Sequence, residues 1–167
     1  IDETSIKKKS KNNVGTRHPD YWLFGGVDWS TNLWFAMVVE DDRTKPTLSA
    51  EIKKFILPGT DIISDMWSSY VTADGSHNIE NNPYIDGMGY THNWNSHSRN
   101  FVNSATGAHT QRIEGVWEVR MNHRLKQFRS YPRELMPSFI DECLWRAWFF
   151  SACIPTAVLQ RTRRRHQ

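Results

Sequence analysis

The hydropathy pattern of the 167-residue chain predicts an α/β fold: a three-stranded antiparallel meander plus parallel strands in one mixed sheet, flanked by helices. Three observations predict it. Two dense apolar runs, Tyr21 to Val27 and Leu33 to Glu40, are separated by the short polar link Trp29-Ser30-Thr31-Asn32, which is a hairpin signal. From Thr44 to Leu57 the period changes: Leu48, Ile52, Phe55 and Ile56 recur at helical spacing, with Lys45, Glu51, Lys53 and Lys54 on the other face. A further short strand follows that helix, and a crossover helix implies that this strand pairs in parallel with an earlier one.

Each element follows from its residues. Ile1 to Ile6 reads as the end of a strand, and the basic, polar stretch 7–19, broken by Gly15 and Pro19, as a loop or hairpin turn. After the turn pair Pro58-Gly59, Thr60 to Trp67 carries the apolar core Ile62-Ile63 of a buried strand, with Asp65 at its far end. Residues 71–106 form a polar insert rich in Asn, Gly, His and Ser, in which Tyr90 to Trp94 reads as a short last strand. A loop of that length in a compact domain is usually functional or mobile. Ile113, Trp117, Met121, Leu125 and Phe128 make an apolar stripe of about four turns, with Thr110 as its N-cap. A third helix is expected from Glu134 to about Ala152, with Pro137 near its start. The division is therefore one domain, 1–153, and a basic tail, 154–167.

Composition narrows the function. Charge is mixed, with a net of +3, which excludes a disordered polyelectrolyte. Lys7, Lys8, Lys9 and Lys11 near one end and Arg161, Arg163, Arg164 and Arg165 near the other are either solvated tails or a weak sign of a polyanionic partner. Cys143 and Cys153 lie in an apolar segment and read as core residues of a reduced protein. The last helix is too short and too charged for a membrane span. No signal peptide opens the chain, and the start at Ile1 reads as a fragment lacking its upstream part. The expected compartment is the nucleus in a eukaryote and otherwise the cytoplasm.

Three carboxylates stand out: Asp2 on the first strand, Asp65 ending the fourth, and Glu114 on a late helix, 63 and 49 residues apart. Each has an ordinary explanation. Asp65 in isolation is a helix cap, and Glu114 is a carboxylate favoured by a helix N-terminus. Their function depends on being together: ligand and catalytic groups collect beyond the carboxyl ends of strands in open α/β sheets. If the Asp65 strand neighbours the first strand, Asp2 and Asp65 share one sheet edge. Asp28 is a weaker candidate for the first acid, and Asp61 is expected to face solvent. Glu118 reads as a solvated surface group or a partner of Glu114. His97, His109 and Arg112 are candidate phosphate contacts, although lone histidines are more often structural. His92, His97 and His109 form no zinc pattern with cysteine. Glu142 and Arg146 read as a helical ion pair, and Trp117 as core.

Several ordered blocks resemble one family: Ile1-Asp2-Glu3-Thr4; Phe24-Gly25-Gly26-Val27; Pro58 to Tyr70; His97-Ser98 with Phe101-Val102; and above all Gly107 to Trp117. Together they resemble the DDE transposases of the ISXO2-like group, with the eukaryotic Merlin branch most similar. The resemblance covers the chain from Ile1 to about Phe150. It implies an RNase H-like fold, catalytic and metal-binding roles for Asp2, Asp65 and Glu114, and two Mg²⁺ or Mn²⁺ ions. It also implies DNA partners (transposon terminal repeats and target DNA), a homo-oligomeric active complex, and no membrane. The chemistry it implies is nicking by water followed by attack of the freed 3′-OH on target DNA. Two carboxylates about 4 Å apart repel by about 4 kcal/mol at an effective dielectric of about 20, and paired divalent cations offset that repulsion. Lys7, Lys8, Lys9, Lys11, His97, His109 and Arg112 are the expected DNA contacts. A domesticated or decayed relative that binds DNA or protein without cutting is the alternative.

Overall fold

The structure, a computed structural model, describes residues 1–6, 20–40, 42–95, 109–126 and 132–150. Lys7, Lys8, Lys9, Lys11, His97, Phe128, Cys153 and the basic tail lie outside the described residues.

Strands β1 (Asp2–Ser5), β2 (Trp22–Val27) and β3 (Trp34–Glu40) form the antiparallel meander in the order β1-β2-β3. Asp2 lies opposite Gly25 and Ser5 opposite Trp22, while the β2–β3 register shifts between Trp22 and Leu23. The turn joining β2 to β3 is fastened by Asp28, which accepts hydrogen bonds from the Ser30 and Thr31 hydroxyls. Asn32 in that turn has φ of 58°, a left-handed conformation that Asn tolerates better than most residues.

Helix α1 (Lys45–Phe55) has Pro46 in its first turn and buries Leu48 and Ile52, as its periodicity predicts. Strand β4 (Asp61–Asp65) follows. Its parallel ladder is made with the later strand β5 (Thr91–Asn95), Asp61 opposite Thr91 and Asp65 opposite Asn95. The expected parallel partner was an earlier strand, so this is a correction: the insert returns a strand of its own to the β4 edge. β1 still meets β4, where the Ile1 ammonium donates to the Ile63 carbonyl at 2.6 Å.

The insert is polar in composition yet anchored. Tyr70, Val71, Ile79, Ile85 and Tyr90 are buried, Asn82 donates to Ser49 Oγ at 2.8 Å, and the Tyr90 hydroxyl donates to the Ile56 carbonyl. Widely spaced apolar anchors escape a periodicity search because they follow neither a helix nor a strand repeat.

Strand alternation divides the core in two. Leu23, Trp34 and Ala36 pack with Ile113, Trp117, Met121, Met136, Phe139 and Ile140. Phe24 and Val39 pack with Leu48, Ile52, Ile62, Tyr70, Ile79 and Ile85. The first cluster is closed by α2 (Gln111–Val116), a π-helical turn (Trp117–Asn122), α3 (His123–Leu125) and α4 (Met136–Trp145). Thr110 does not cap α2 with its side chain; its hydroxyl is directed elsewhere.

Candidate functional site

The Ile1–Ile63 hydrogen bond sets Asp2 beside the end of β4. Burial first, and the Asp65 charge second, push the Asp2 carboxyl up to about 6. Two groups hold Asp2 in place from opposite directions in sequence. The neighbouring Ile1 ammonium favours its charged form, and Trp117 Nε1 donates to Asp2 Oδ2 at 3.0 Å. Asp65 accepts the Trp67 backbone N–H at 3.0 Å through Oδ1. Gly25 makes the indole contact feasible. A Cβ there would lie 2.4 Å from the Phe35 carbonyl oxygen and 2.5 Å from the Trp117 ring, so only glycine lets the π-helical turn bring Trp117 against β2 at this point.

Behind the pair lies a third acid that the sequence reading left unassigned. Glu3 is 5% exposed at its side chain; it accepts the Tyr70 hydroxyl, and its carboxylate is 3.6 Å from the Arg43 guanidinium. Arg43 in turn stacks on Trp22 at 3.4 Å and on Trp67 at 4.5 Å, a cation–π arrangement that keeps it beside Glu3. Burial, then Asp2 and Asp65, raise Glu3 to about 8 despite Arg43. Three acids thus share one electrostatic neighbourhood at the β1–β4 junction: Asp2, Glu3 and Asp65.

A second support runs through the insert. The Ile79 backbone N–H donates to His92 Nδ1 at 3.3 Å, so Nδ1 is the bare nitrogen and Nε2 carries the proton. Nε2 then donates to Ser64 Oγ at 2.9 Å, and Ser64 donates to the Asp65 carbonyl at 2.6 Å. Burial first, and the Ile1 ammonium second, lower His92 to about 4, which keeps it neutral and the chain ordered. His92 is therefore a structural link between the insert and the strand end bearing Asp65, in keeping with its lack of a zinc pattern.

Glu114 lies elsewhere. It is exposed on α2 and accepts the Thr110 hydroxyl at 2.7 Å. Trp117, three residues on at the start of the π-helical turn, is the side chain that reaches Asp2. Among the described residues, no group of three His, Cys, Asp or Glu side chains is placed to hold a metal ion. By donor chemistry Asp2 and Asp65 suit a hard divalent cation, offering only oxygen where like charges already repel. Asp28 is exposed and occupied by its own turn, Asp61 is exposed and accepts the Thr91 hydroxyl, and Glu118 is exposed and pairs with Lys126 at 2.5 Å. Glu142 pairs with Arg146 at 2.7 Å, as the helical spacing predicts.

His109 and Arg112 come together on the β2–β3 turn. The Arg112 guanidinium lies 4.9 Å from the Trp29 ring centroid and donates to the Trp29 carbonyl at 2.6 Å; the His109 ring is 4.8 Å from the same indole. Of the groups missed, Trp117 carried a signal: a buried indole N–H needs an acceptor, and the nearby strands offer carboxylates. Arg43, Tyr70, Ser64 and His92 carried none, since their partners lie 28 to 67 residues away.

No helix among the described residues is long and apolar enough to cross a membrane. No protein-family model matches the chain, and no curated protein matches it. Among solved structures, the chain is similar to one in the cryo-EM structure of the simian T-cell lymphotropic virus intasome in complex with PP2A regulatory subunit B56 gamma. The TM-score is 0.50 at 15% identity, over 87% of this chain and 46% of that one. The chain thus spans about half the length of that neighbour, and at this identity the likeness is one of fold alone.

Proposed function

We propose that the chain is the catalytic domain of a DDE transposase of the ISXO2-like group, cutting transposon ends and joining them to target DNA. The observation that carries the reading is the juxtaposition of Asp2 and Asp65 at the β1–β4 junction, both half-buried, with the Asp65 charge pressing on Asp2. The fold likeness to an intasome chain supports it at the level of architecture. In this reading Asp2 and Asp65 hold divalent cations, Mg²⁺ or Mn²⁺. Trp117 and the Trp67 backbone N–H fix the directions of the two carboxylates. Glu114, one turn before Trp117, is the third acid, restrained by Thr110. When bound, the cations supply Lewis-acid activation of water and neutralise charge on the phosphodiester. Arg112 and His109, which meet at the β2–β3 turn, contact the DNA. The active complex is a homo-oligomer.

The test is nicking of a terminal-repeat duplex with Mg²⁺ by the protein. Asp65→Asn is expected to abolish it, and unchanged cleavage by that variant overturns the assignment. One observation favours a second reading, a transposase-derived domain that binds DNA without cutting. Glu114 is not gathered with the other two acids among the described residues. Salt-sensitive DNA binding with no nicking under any divalent cation would select it.

A further inference from the structure

A cavity of about 750 Å³ opens beside the acid pair rather than at it. Its walls come from the ends of β2 and β3, the end of α1, the first half of β4 and the start of α2. Phe35, Ile113 and Trp148 give it an aromatic and aliphatic interior, and Trp29 and His109 line it from the turn and from the start of α2. That volume is typical of a pocket for a small organic group, and so is a mainly apolar lining with few polar groups. Three further features bear on what fits. Trp29 is 40% exposed, although it is large and apolar. His109 Nδ1 is buried without a hydrogen-bond partner among the described residues. Arg112, exposed beside Trp29, uses Nη1 for its hydrogen bonds to the turn, with Nη2 and Nε making none among the described residues.

The acids lining the cavity are turned to hydroxyl partners of their own, which spread their charge without removing it, so the cationic Arg112 has to outweigh them at this end. The Asp28 carboxylate is engaged by Ser30 and Thr31, and Asp61 by Thr91.

We propose that this cavity is a seat for one unpaired nucleotide of the DNA, its base stacked against Trp29 inside the aromatic lining and its phosphate on Arg112. The proposal rests on the DNA-processing reading above and adds to it a substrate feature, an unpaired base next to the cutting site. A flat heteroaromatic base supplies what the lining asks for: faces to stack and ring-edge donors for His109 Nδ1. Arg112 supplies the charge complement, and it sits two residues from Glu114 on α2. Exposed aromatics paired with Arg are the usual platform for unpaired bases, because every base presents a π-face.

The experiment measures binding of the full chain, in chelator so that cutting plays no part, to two duplexes of equal length. One is blunt; the other carries a single unpaired 2-aminopurine. Tighter binding of the second duplex and quenching of the 2-aminopurine emission are expected. Trp29→Ala should weaken the unpaired duplex on the order of 10-fold, leave the blunt duplex within about 2-fold, and abolish quenching. Trp29→Phe should restore most of both. A thermal melt like that of the parent shows that Trp29→Ala is folded; if it is not, Trp29→Leu, which keeps apolar bulk and removes the ring face, carries the same comparison. Equal affinity for the two duplexes with no quenching overturns the nucleotide seat and leaves the DNA reading standing. No binding to either duplex overturns both.

Discussion

Divalent cations should stabilise this chain in proportion to how far pH has ionised the acid pair. Asp2 is raised from an ordinary value near 3.8 to about 6 by burial and by Asp65. Between those two values the native state binds more protons than the unfolded chain, so unfolding free energy falls as pH rises. A shift of about two units corresponds to about 3 kcal/mol at about 1.4 kcal/mol per unit, present near pH 4 and gone by pH 8. A cation bound only by the folded state at 100 times its dissociation constant returns about 2.7 kcal/mol. For a chain of this length each kcal/mol moves Tm by roughly 2–4 °C. Mg²⁺ or Mn²⁺ should therefore raise Tm by several degrees at pH 8 and by much less at pH 5, where protons compete. Asp65→Asn separates this from a general salt effect because its two consequences have opposite signs. Without cation at pH 8 it removes a like charge and should raise stability by about 1 kcal/mol, the smaller share, since burial is the larger cause. With cation it should lose most of the Tm rise. Differential scanning calorimetry of both proteins at both pH values is the assay. The reasoning fails if the cation-induced rise is the same at pH 5 and pH 8, if it survives in the variant, or if Na⁺ at matched ionic strength reproduces it.

Other perturbations report on the supports around the pair. Because His92 is lowered to about 4 from an ordinary 6.5, the unfolded chain binds the extra proton between those values. Its contribution, about 3 kcal/mol, is present above pH 6.5 and lost as pH falls toward 4. In urea melts, His92→Phe should flatten that limb relative to the parent while losing about 1–3 kcal/mol at neutral pH from the stranded Ile79 and Ser64 groups; an unchanged acid limb refutes the assignment. Glu3, raised to about 8, acts in the opposite direction, so Glu3→Gln should be near neutral at pH 5 and stabilising at pH 9 by chemical denaturation. Equal effects at both pH values would show that the carboxyl is already ionised at pH 5. Gly25→Ala drives a methyl into the Phe35 carbonyl and the Trp117 ring and should destabilise by about 1–3 kcal/mol or more. Near-UV circular dichroism should show the Trp117 signal altered, and an unchanged spectrum and Tm would refute the close approach.

What the sequence discloses here follows the range of its physics. Local signals were legible. The β2–β3 hairpin, the α1 periodicity, the buried strand ending in Asp65 and the Glu142–Arg146 pair all depend on residues within a few positions of one another. The meeting of Asp2 with Asp65 was also reachable, because a crossover helix restricts where β4 goes, although the parallel ladder itself formed with β5. Groups whose meaning lies in a distant partner were not legible. Glu3 looks like a surface acid beside Asp2, and only Tyr70 and Arg43, brought in from 67 and 40 residues away, make it a buried one. Glu114 shows the converse limit. The resemblance says which residue type is expected there, while in the structure its carboxylate accepts a local hydrogen bond from Thr110, a net contribution of about 1 kcal/mol. A bond that weak is within reach of a bound cation, whose attraction for a third carboxylate would exceed it even with surface screening. On the proposed reading, the acid pair on β1 and β4 is set by the fold, and Glu114 is the carboxylate that cation binding would have to move. Thr110→Val should accordingly tighten Mn²⁺ binding measured by calorimetry rather than weaken it, and a weaker site in that variant would mean that Thr110 holds Glu114 toward the cation instead of away from it.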